Sequence, residues 1–232
     1  EILTVLVEDA KFKFEEGHIE VRAVDAMHVA MVRMEIDAAA FEAWECEPCT
    51  IGFELVKLRD LIGLAEAGDL IEMNYDENDG RVNIQVGEIN RTIRPLDRAT
   101  MLEPKVPEVE LNSSVKLSAI KFSRALRAAK QVGDLATISL NAQSFGVNVS
   151  GDTDTVNVSY DAGELEDLVC DGPVKSQYSL SLLYPMAKRM EAIVDSVTLF
   201  FNENHPLRLE FDFADGAGRC VYFLAPRIEG DA

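Results

Sequence analysis

Chemistry would begin with the residues able to attack, ligate or exchange protons. Cys46-Glu47-Pro48-Cys49 has the spacing of half a zinc site or of a redox pair. A structural zinc site normally adds a second pair, and here Cys170 and Cys220 stand alone with no histidine beside them. The three histidines are His18, His28 and His205, and none falls in a nucleophile signature such as Gly-x-Ser-x-Gly. Asp152-Thr153-Asp154 resembles an aspartic-protease loop but lacks the glycine that should follow Asp-Thr. Asp76-Glu77-Asn78-Asp79-Gly80 is acidic enough for calcium, yet its glycine register fails the twelve-residue loop and it reads as a hairpin turn. Glycine-rich phosphate loops are missing. The expectation is a chain with no catalytic residue, no metal and no cofactor.

Charge carries the stronger signal. The 232 residues hold 22 Lys and Arg against 41 Asp and Glu, a net −19, which excludes a protein that coats nucleic acid with its whole surface. Against that background the window Ser118 to Val132 carries Lys121, Arg124, Arg127 and Lys130 and no acid. It also has helical periodicity, with Phe122, Ala125, Leu126, Ala129 and Val132 on one side. At 100° per residue the basic positions centre roughly 165° from that stripe, so one face belongs to a core and the opposite face is purely cationic. Ser118 is a plausible N-cap and Gly133 a stop. Two further helical stretches carry Lys57 with Arg59 (Phe53 to Ala67) and Lys188 with Arg189 (Leu180 to Ile193). Pro185 is expected close to the first turn of the latter. Basic helices on an acidic body attract a polyanion to one face, and without base-reading side chains the binding is sequence-neutral and salt-sensitive.

The elements that position these residues are mostly strands. Apolar and polar residues alternate through Ile19 to Val24, Val32 to Ile36, Val82 to Val86, Val147 to Ser150, Val156 to Tyr160 and Leu207 to Phe213. Turns at Glu15-Glu16-Gly17, Asn78-Asp79-Gly80 and Asp215-Gly216-Ala217-Gly218 make antiparallel pairing the expectation. The residues before Glu8 read as the tail of another helix. The same order of elements recurs at an offset of about 125 residues, so the chain divides into a first lobe (1–95), a connector (96–109) containing Pro104 and Pro107, and a second lobe (110–232). No apolar run reaches the roughly 20 residues of a membrane span, and four scattered cysteines suit a reducing interior, so a cytoplasmic, nucleoid-associated location is expected.

Val21 to Val32, the segment Phe41-Glu42-Ala43-Trp44 through Ile51-Gly52-Phe53, and Leu224-Ala225-Pro226-Arg227-Ile228-Glu229 resemble the proliferating cell nuclear antigen family in its archaeal form. The resemblance implies an α+β clamp fold, two similar lobes of antiparallel sheet with inner helices, and three subunits closed head to tail around duplex DNA. It implies a processivity factor, not an enzyme, whose partners are a clamp loader, DNA polymerase, flap endonuclease and DNA ligase. By family position the partner pocket comprises Val24, His28, Val29, Val106, Pro107, Ser181, Tyr184, Pro206, Phe223, Ala225 and Pro226. The ring interface comprises Arg91, Ile93 and Arg94 on one edge and Asp152, Asp154, Val156 and Val158 on the other, with Asp161 beside it. Against the family pattern the first strand and most of the first helix are missing before Glu1, and Asp60 and Gly63 stand where lysines are common. Two other readings stay open at this point: a subunit of a heteromeric or checkpoint-type clamp, and an acidic hydrolase using paired carboxylates.

Overall fold

The computed structural model describes residues 1–97, 99, 101 and 103–228. Arg98, Thr100 and Leu102 of the connector and Glu229 of the terminal motif lie outside the described residues. After a 3-10 turn at Leu3–Val5, the first lobe runs β1 (Asp9–Phe14), β2 (His18–Val24), β3 (Ala30–Asp37), β4 (Cys49–Glu54), α1 (Leu55–Ile62), β5 (Ile71–Asp76), β6 (Arg81–Val86) and β7 (Ile89–Ile93). The second runs β8 (Ser113–Ser118), α2 (Ala119–Lys130), β9 (Leu135–Asn141), β10 (Ser144–Ser150), β11 (Thr155–Asp161), β12 (Asp167–Val169), β13 (Val174–Ser179), α3 (Leu180–Met190), β14 (Ser196–Phe201), β15 (Leu207–Phe213) and β16 (Gly218–Leu224).

Every alternating run becomes a strand, because a period of two puts one set of side chains on one face of the sheet. β14 and β15 alternate with Val197, Leu199, Phe201, Leu207, Leu209 and Phe211 buried. Three antiparallel sheets result, ordered β12-β8-β14-β15-β16-β3-β2-β1-β4, β11-β10-β9-β13 and β5-β6-β7. The nine-stranded sheet crosses from lobe to lobe through β16 and β3, whose register pairs Gly218 with Ile36 and Leu224 with Ala30. The lobes are thus joined by a continuous ladder and share one hydrophobic core.

The helices obey their local signals with two adjustments. α2 begins where Ser118 Oγ accepts from the Lys121 N–H, and Gly133 N–H closes on Ala129 O. α1 is shorter than its periodicity suggests: Phe53 and Glu54 finish β4, and Gly63 donates to Arg59 O to end the helix at Ile62. Pro185 falls in the second turn of α3 rather than the first, so Ser181 O loses its intrahelical donor there. α2 packs on α3, α3 touches the Leu3–Val5 turn, and that turn touches α1, which makes one continuous helical layer. Phe122, Leu126, Leu183, Met186 and Met190 are fully buried beneath it, each worth roughly 1.5–3 kcal/mol of hydrophobic transfer.

Candidate nucleic-acid interface and partner pocket

On α2 the apolar stripe is buried and Lys121, Arg124 and Arg127 face outward, as the periodicity requires. The face is not purely cationic, since Ile120 is 59% exposed on it. Ion pairs divide the eight basic residues into two sets. Lys57 meets Glu54 at 2.6 Å, Arg59 meets Asp60 at 2.7 Å, Arg189 meets Glu1 at 3.0 Å, Lys121 meets Glu164 at 3.7 Å, and Lys130 pairs with Asp134. Among the described residues no ion pair engages Arg124, Arg127 or Lys188. These exposed pairs are weak and yield to a phosphate, but they lower the charge that α1 presents. The layer can therefore hold a polyphosphate backbone, most strongly along α2 and α3, and offers no array of side chains suited to reading bases.

A hollow of about 450 Å³ opens between the β2–β3 turn, the connector and the C-terminal strand. Val24, His28, Val29, Pro107, Pro206, Phe223 and Ala225 line it together, joined by Ala30, Met31, Glu103, Pro104 and Lys105. Four residues expected there by family position are not in its wall. Ser181 and Tyr184 lie on α3, where Ser181 Oγ shares a hydrogen bond of 2.7 Å with Ser179 Oγ, and Val106 and Pro226 do not contribute. A larger hollow of about 690 Å³ lies between the end of α3 and β15, and its wall mixes Ile193, Val194 and Phe213 with the charged Glu191, Asp195, Glu210, Asp212, Lys116 and Arg219.

Sequence reasoning missed the residue that shapes the smaller hollow. Asp25 is buried at the end of β2, and its Oδ1 accepts from Val29 N–H at 2.8 Å and Ala30 N–H at 2.6 Å, while Oδ2 accepts from Met27 N–H at 3.1 Å. One carboxylate thereby satisfies three backbone donors and ties down the turn that holds His28 at a left-handed φ of 57°. The C-terminal segment docks on the same turn through Ala225 N–H to Val29 O at 2.8 Å. The available signal was an acidic residue closing a strand before a short apolar turn.

Among the sheet ends, which include β5 and β12, two carry the residues expected at the ring interface. β7 ends one sheet and β11 another. Arg91 and Ile93 sit on β7 with Arg94 just beyond it; Val156 and Val158 lie half-buried on β11, and Asp152 and Asp154 occupy the turn before it. The thiols offer little by comparison. Burial raises Cys46 above the ordinary thiol range and pushes Cys220 up to about 12, so neither is poised as a nucleophile. Among the described residues no three His, Cys, Asp or Glu side chains converge as a metal site.

Comparison with known proteins matches residues 1–101 to the proliferating cell nuclear antigen N-terminal domain and 105–227 to its C-terminal domain. The DNA polymerase sliding clamp of Methanosarcina mazei is 36% identical over 230 residues, covering 99% of this chain and 93% of that protein. The clamp of Natronomonas pharaonis is 34% identical over 232 residues, with 99% and 93% covered. This chain belongs to the proliferating cell nuclear antigen family. A solved structure of A. fulgidus PCNA bound by the C-terminal region of FEN-1 superposes with a TM-score of 0.90 at 27% identity, covering 99% of this chain and 94% of that one. PCNA from Thermococcus kodakaraensis, at 22% identity and a TM-score of 0.88, has the same fold over 97% of this chain and 93% of its own. Membership accounts for the clamp fold, and the family is a non-enzymatic processivity factor. No helix among the described residues is long and apolar enough to cross a membrane.

Proposed function

We propose that three copies of this chain pair head to tail into a ring that encircles duplex DNA, tethering DNA-processing enzymes as a processivity factor. The observation that carries the reading is the seam between the lobes. Within one chain β16 of the second lobe pairs with β3 of the first. The internal repeat makes β7 the counterpart of β16 and β11 the counterpart of β3, and both counterparts are unpaired edges. Corresponding hydrogen bonds support the equivalence: Leu96 N–H donates to Gly52 O at 2.9 Å in the first lobe, and Arg227 N–H donates to Gln177 O at 2.7 Å in the second. Repeating the internal seam between copies uses every open edge of this kind and closes a ring.

Copying the internal register fixes the contacts. Ile84 opposite Arg91 corresponds to Leu209 opposite Tyr222, so Arg91 takes the place of Tyr222 and Val156 of the next copy that of Val32. Ile93 then faces Asp154, and Arg91 lies diagonal to Asp154, within reach of a long side chain. Arg94 and Asp152 lie past the last rung. Asp161 falls five rungs from Arg91, about 17 Å away, which removes it from the charge pairing. The pairs orient the edges more than they stabilise them.

The basic layer of α1, α2 and α3 would line the channel and hold phosphates without fixing sequence, leaving the ring free to slide. The hollow beside His28 would take the aromatic anchors of a short partner motif, the role suggested by the FEN-1 segment seen on the A. fulgidus relative. Clamp loader, DNA polymerase, flap endonuclease and DNA ligase are the partners in this reading, and their gain from tethering is effective concentration. The division 1–95, 96–109 and 110–232 is supported by β7 ending at Ile93 and β8 starting at Ser113. The protein would act on DNA in the cell interior, associated with the nucleoid. The test is mass in solution together with retention on closed circular and linear duplexes of equal length. A mass of three chains held on circles and lost from linear ends is expected; equal retention on both would overturn topological linkage.

A further inference from the structure

The edge strand β11 is wired to the DNA-facing helix by one side chain. Tyr160, next to last in β11, donates its hydroxyl to Lys121 O in the first turn of α2 at 2.9 Å. The Lys121 ammonium lies 5.7 Å from the centre of the same ring, and the ring stacks on buried Phe145 at 6.4 Å. Glu164, in the 3-10 turn that follows β11, accepts from Asp161 N–H at 3.1 Å and holds its carboxylate 3.7 Å from Lys121 Nζ. Burial raises the pKa of the Tyr160 phenol, and the charge of Arg124, one turn along α2, opposes that rise. An edge strand, a tyrosine, an acid and the first cation of the basic helix thus form one contact group.

We propose that Tyr160 is a positioning residue that couples ring closure to DNA contact: pairing of β11 with the next copy fixes Tyr160, and Tyr160 fixes the first turn of α2 with Lys121 aimed into the channel. The inference rests on the ring reading given above. In the register copied from the internal seam Val158 faces Ile89, the first residue of the neighbour's β7, and Tyr160 lies two rungs further along, beside the turn at Gly87. Glu164 opposes the duplex by competing with phosphate for the Lys121 ammonium. The two side chains therefore act on the same cation with opposite sign.

That opposition defines the experiment. Tyr160→Phe keeps the stack on Phe145 and removes only the hydroxyl bond to Lys121 O. Glu164→Gln keeps an oxygen for Asp161 N–H and removes the competing charge. Rings of the unaltered protein and each variant are assembled on a nicked circular duplex, and retention is followed from about 50 to 200 mM salt, with mass measured in parallel. Tyr160→Phe is expected to remain a trimer and to lose retention at lower salt, its slope against log salt shallower by up to about one phosphate contact per subunit. Glu164→Gln is expected to move retention to higher salt. A Tyr160→Phe protein with an unmoved salt profile, or two variants shifting in the same direction, would overturn the coupling. Failure of the unaltered protein to discriminate circles from linear duplex would instead overturn the ring reading, and the coupling with it.

Discussion

The two lobes run the same order of elements but bury them to different degrees. In the second lobe β14 is flanked by β8 and β15, and alternate residues are buried; in the first its counterpart β5 pairs only with β6, and all six of its residues are exposed. The second lobe's inner layer is two helices of 12 and 11 residues in contact, whereas the first lobe offers the eight-residue α1 beside the Leu3–Val5 turn. In the second lobe the core beneath β14 is closed, and two of the four cations on α2, Lys121 and Lys130, meet Glu164 and Asp134 while Arg124 and Arg127 do not pair with acids among the described residues. In the first lobe Ile71, Met73 and Tyr75 of β5 are exposed, and both cations of α1 are paired with acids.

Substitution can break this contrast. Phe122→Ala in α2 should cost about 3–5 kcal/mol, because a fully buried ring leaves a cavity between two helices and a sheet. Leu58→Ala in α1 should cost nearer ~2 kcal/mol, since Leu58 retains some exposure and sits on a helix of only eight residues. Urea unfolding of both checks the order, and equal losses would mean that the lobes are equally well packed.

Turns sharpen the comparison in the other direction. Asp25→Ala leaves three backbone donors without their acceptor and should destabilise by about 1–3 kcal/mol while loosening the hollow around His28. Asp152→Ala at the matching turn of the second lobe is exposed and should change stability by less than about 0.5 kcal/mol. Thermal unfolding, with titration of a peptide carrying paired aromatics, separates the two sites.

The seam proposed between copies would differ from the one inside the chain, setting Arg91 beside Val156 where Tyr222 lies opposite Val32. Arg91→Glu with Arg94→Glu should weaken assembly at least tenfold, about 1.4 kcal/mol per interface, and light scattering should show single chains at concentrations where the unaltered protein is trimeric. An undiminished trimer would refute the role given to these charges.

The smallest effect concerns acid. Burial opposes the charge of Glu20, but hydrogen bonds from Arg33 and Arg22 outweigh it and hold the carboxyl below its usual range. Its contribution is present above the unfolded-state pKa and is lost as pH falls through the lower folded value. Stability measured from about pH 5 downward should fall less steeply in Glu20→Gln. The second lobe carries Gly146 at the matching rung, so this acid sensitivity belongs to the first lobe.

Strands and α2 were legible because alternation, a serine cap and an apolar stripe act over a few residues. The ends of α1 and α3 were less so, since the competition of β4 for Phe53 and Glu54 is a pairing with β1 that periodicity does not contain. The basic residues of α2 could be assigned to one face from 100° steps alone, and Lys130 pairs locally with Asp134 four residues on, but the pairing of Lys121 depended on Glu164 arriving from the turn after β11. The pocket was read as a joint match to a family; seven of its eleven residues line the hollow beside His28, Ser181, Tyr184, Val106 and Pro226 lie outside its wall, and the match passed over Asp25.

The order of residues by itself determined the periodicities, the turn positions, the repeat and the acid-poor helix, because these depend on neighbours within one or two turns or rungs. Only the tertiary structure decided that β16 lies beside β3, that β7 and β11 are left open, and that Tyr160 reaches Lys121. Those pairings join segments far apart in the chain, where many registers satisfy the same alternation and the packed core selects one.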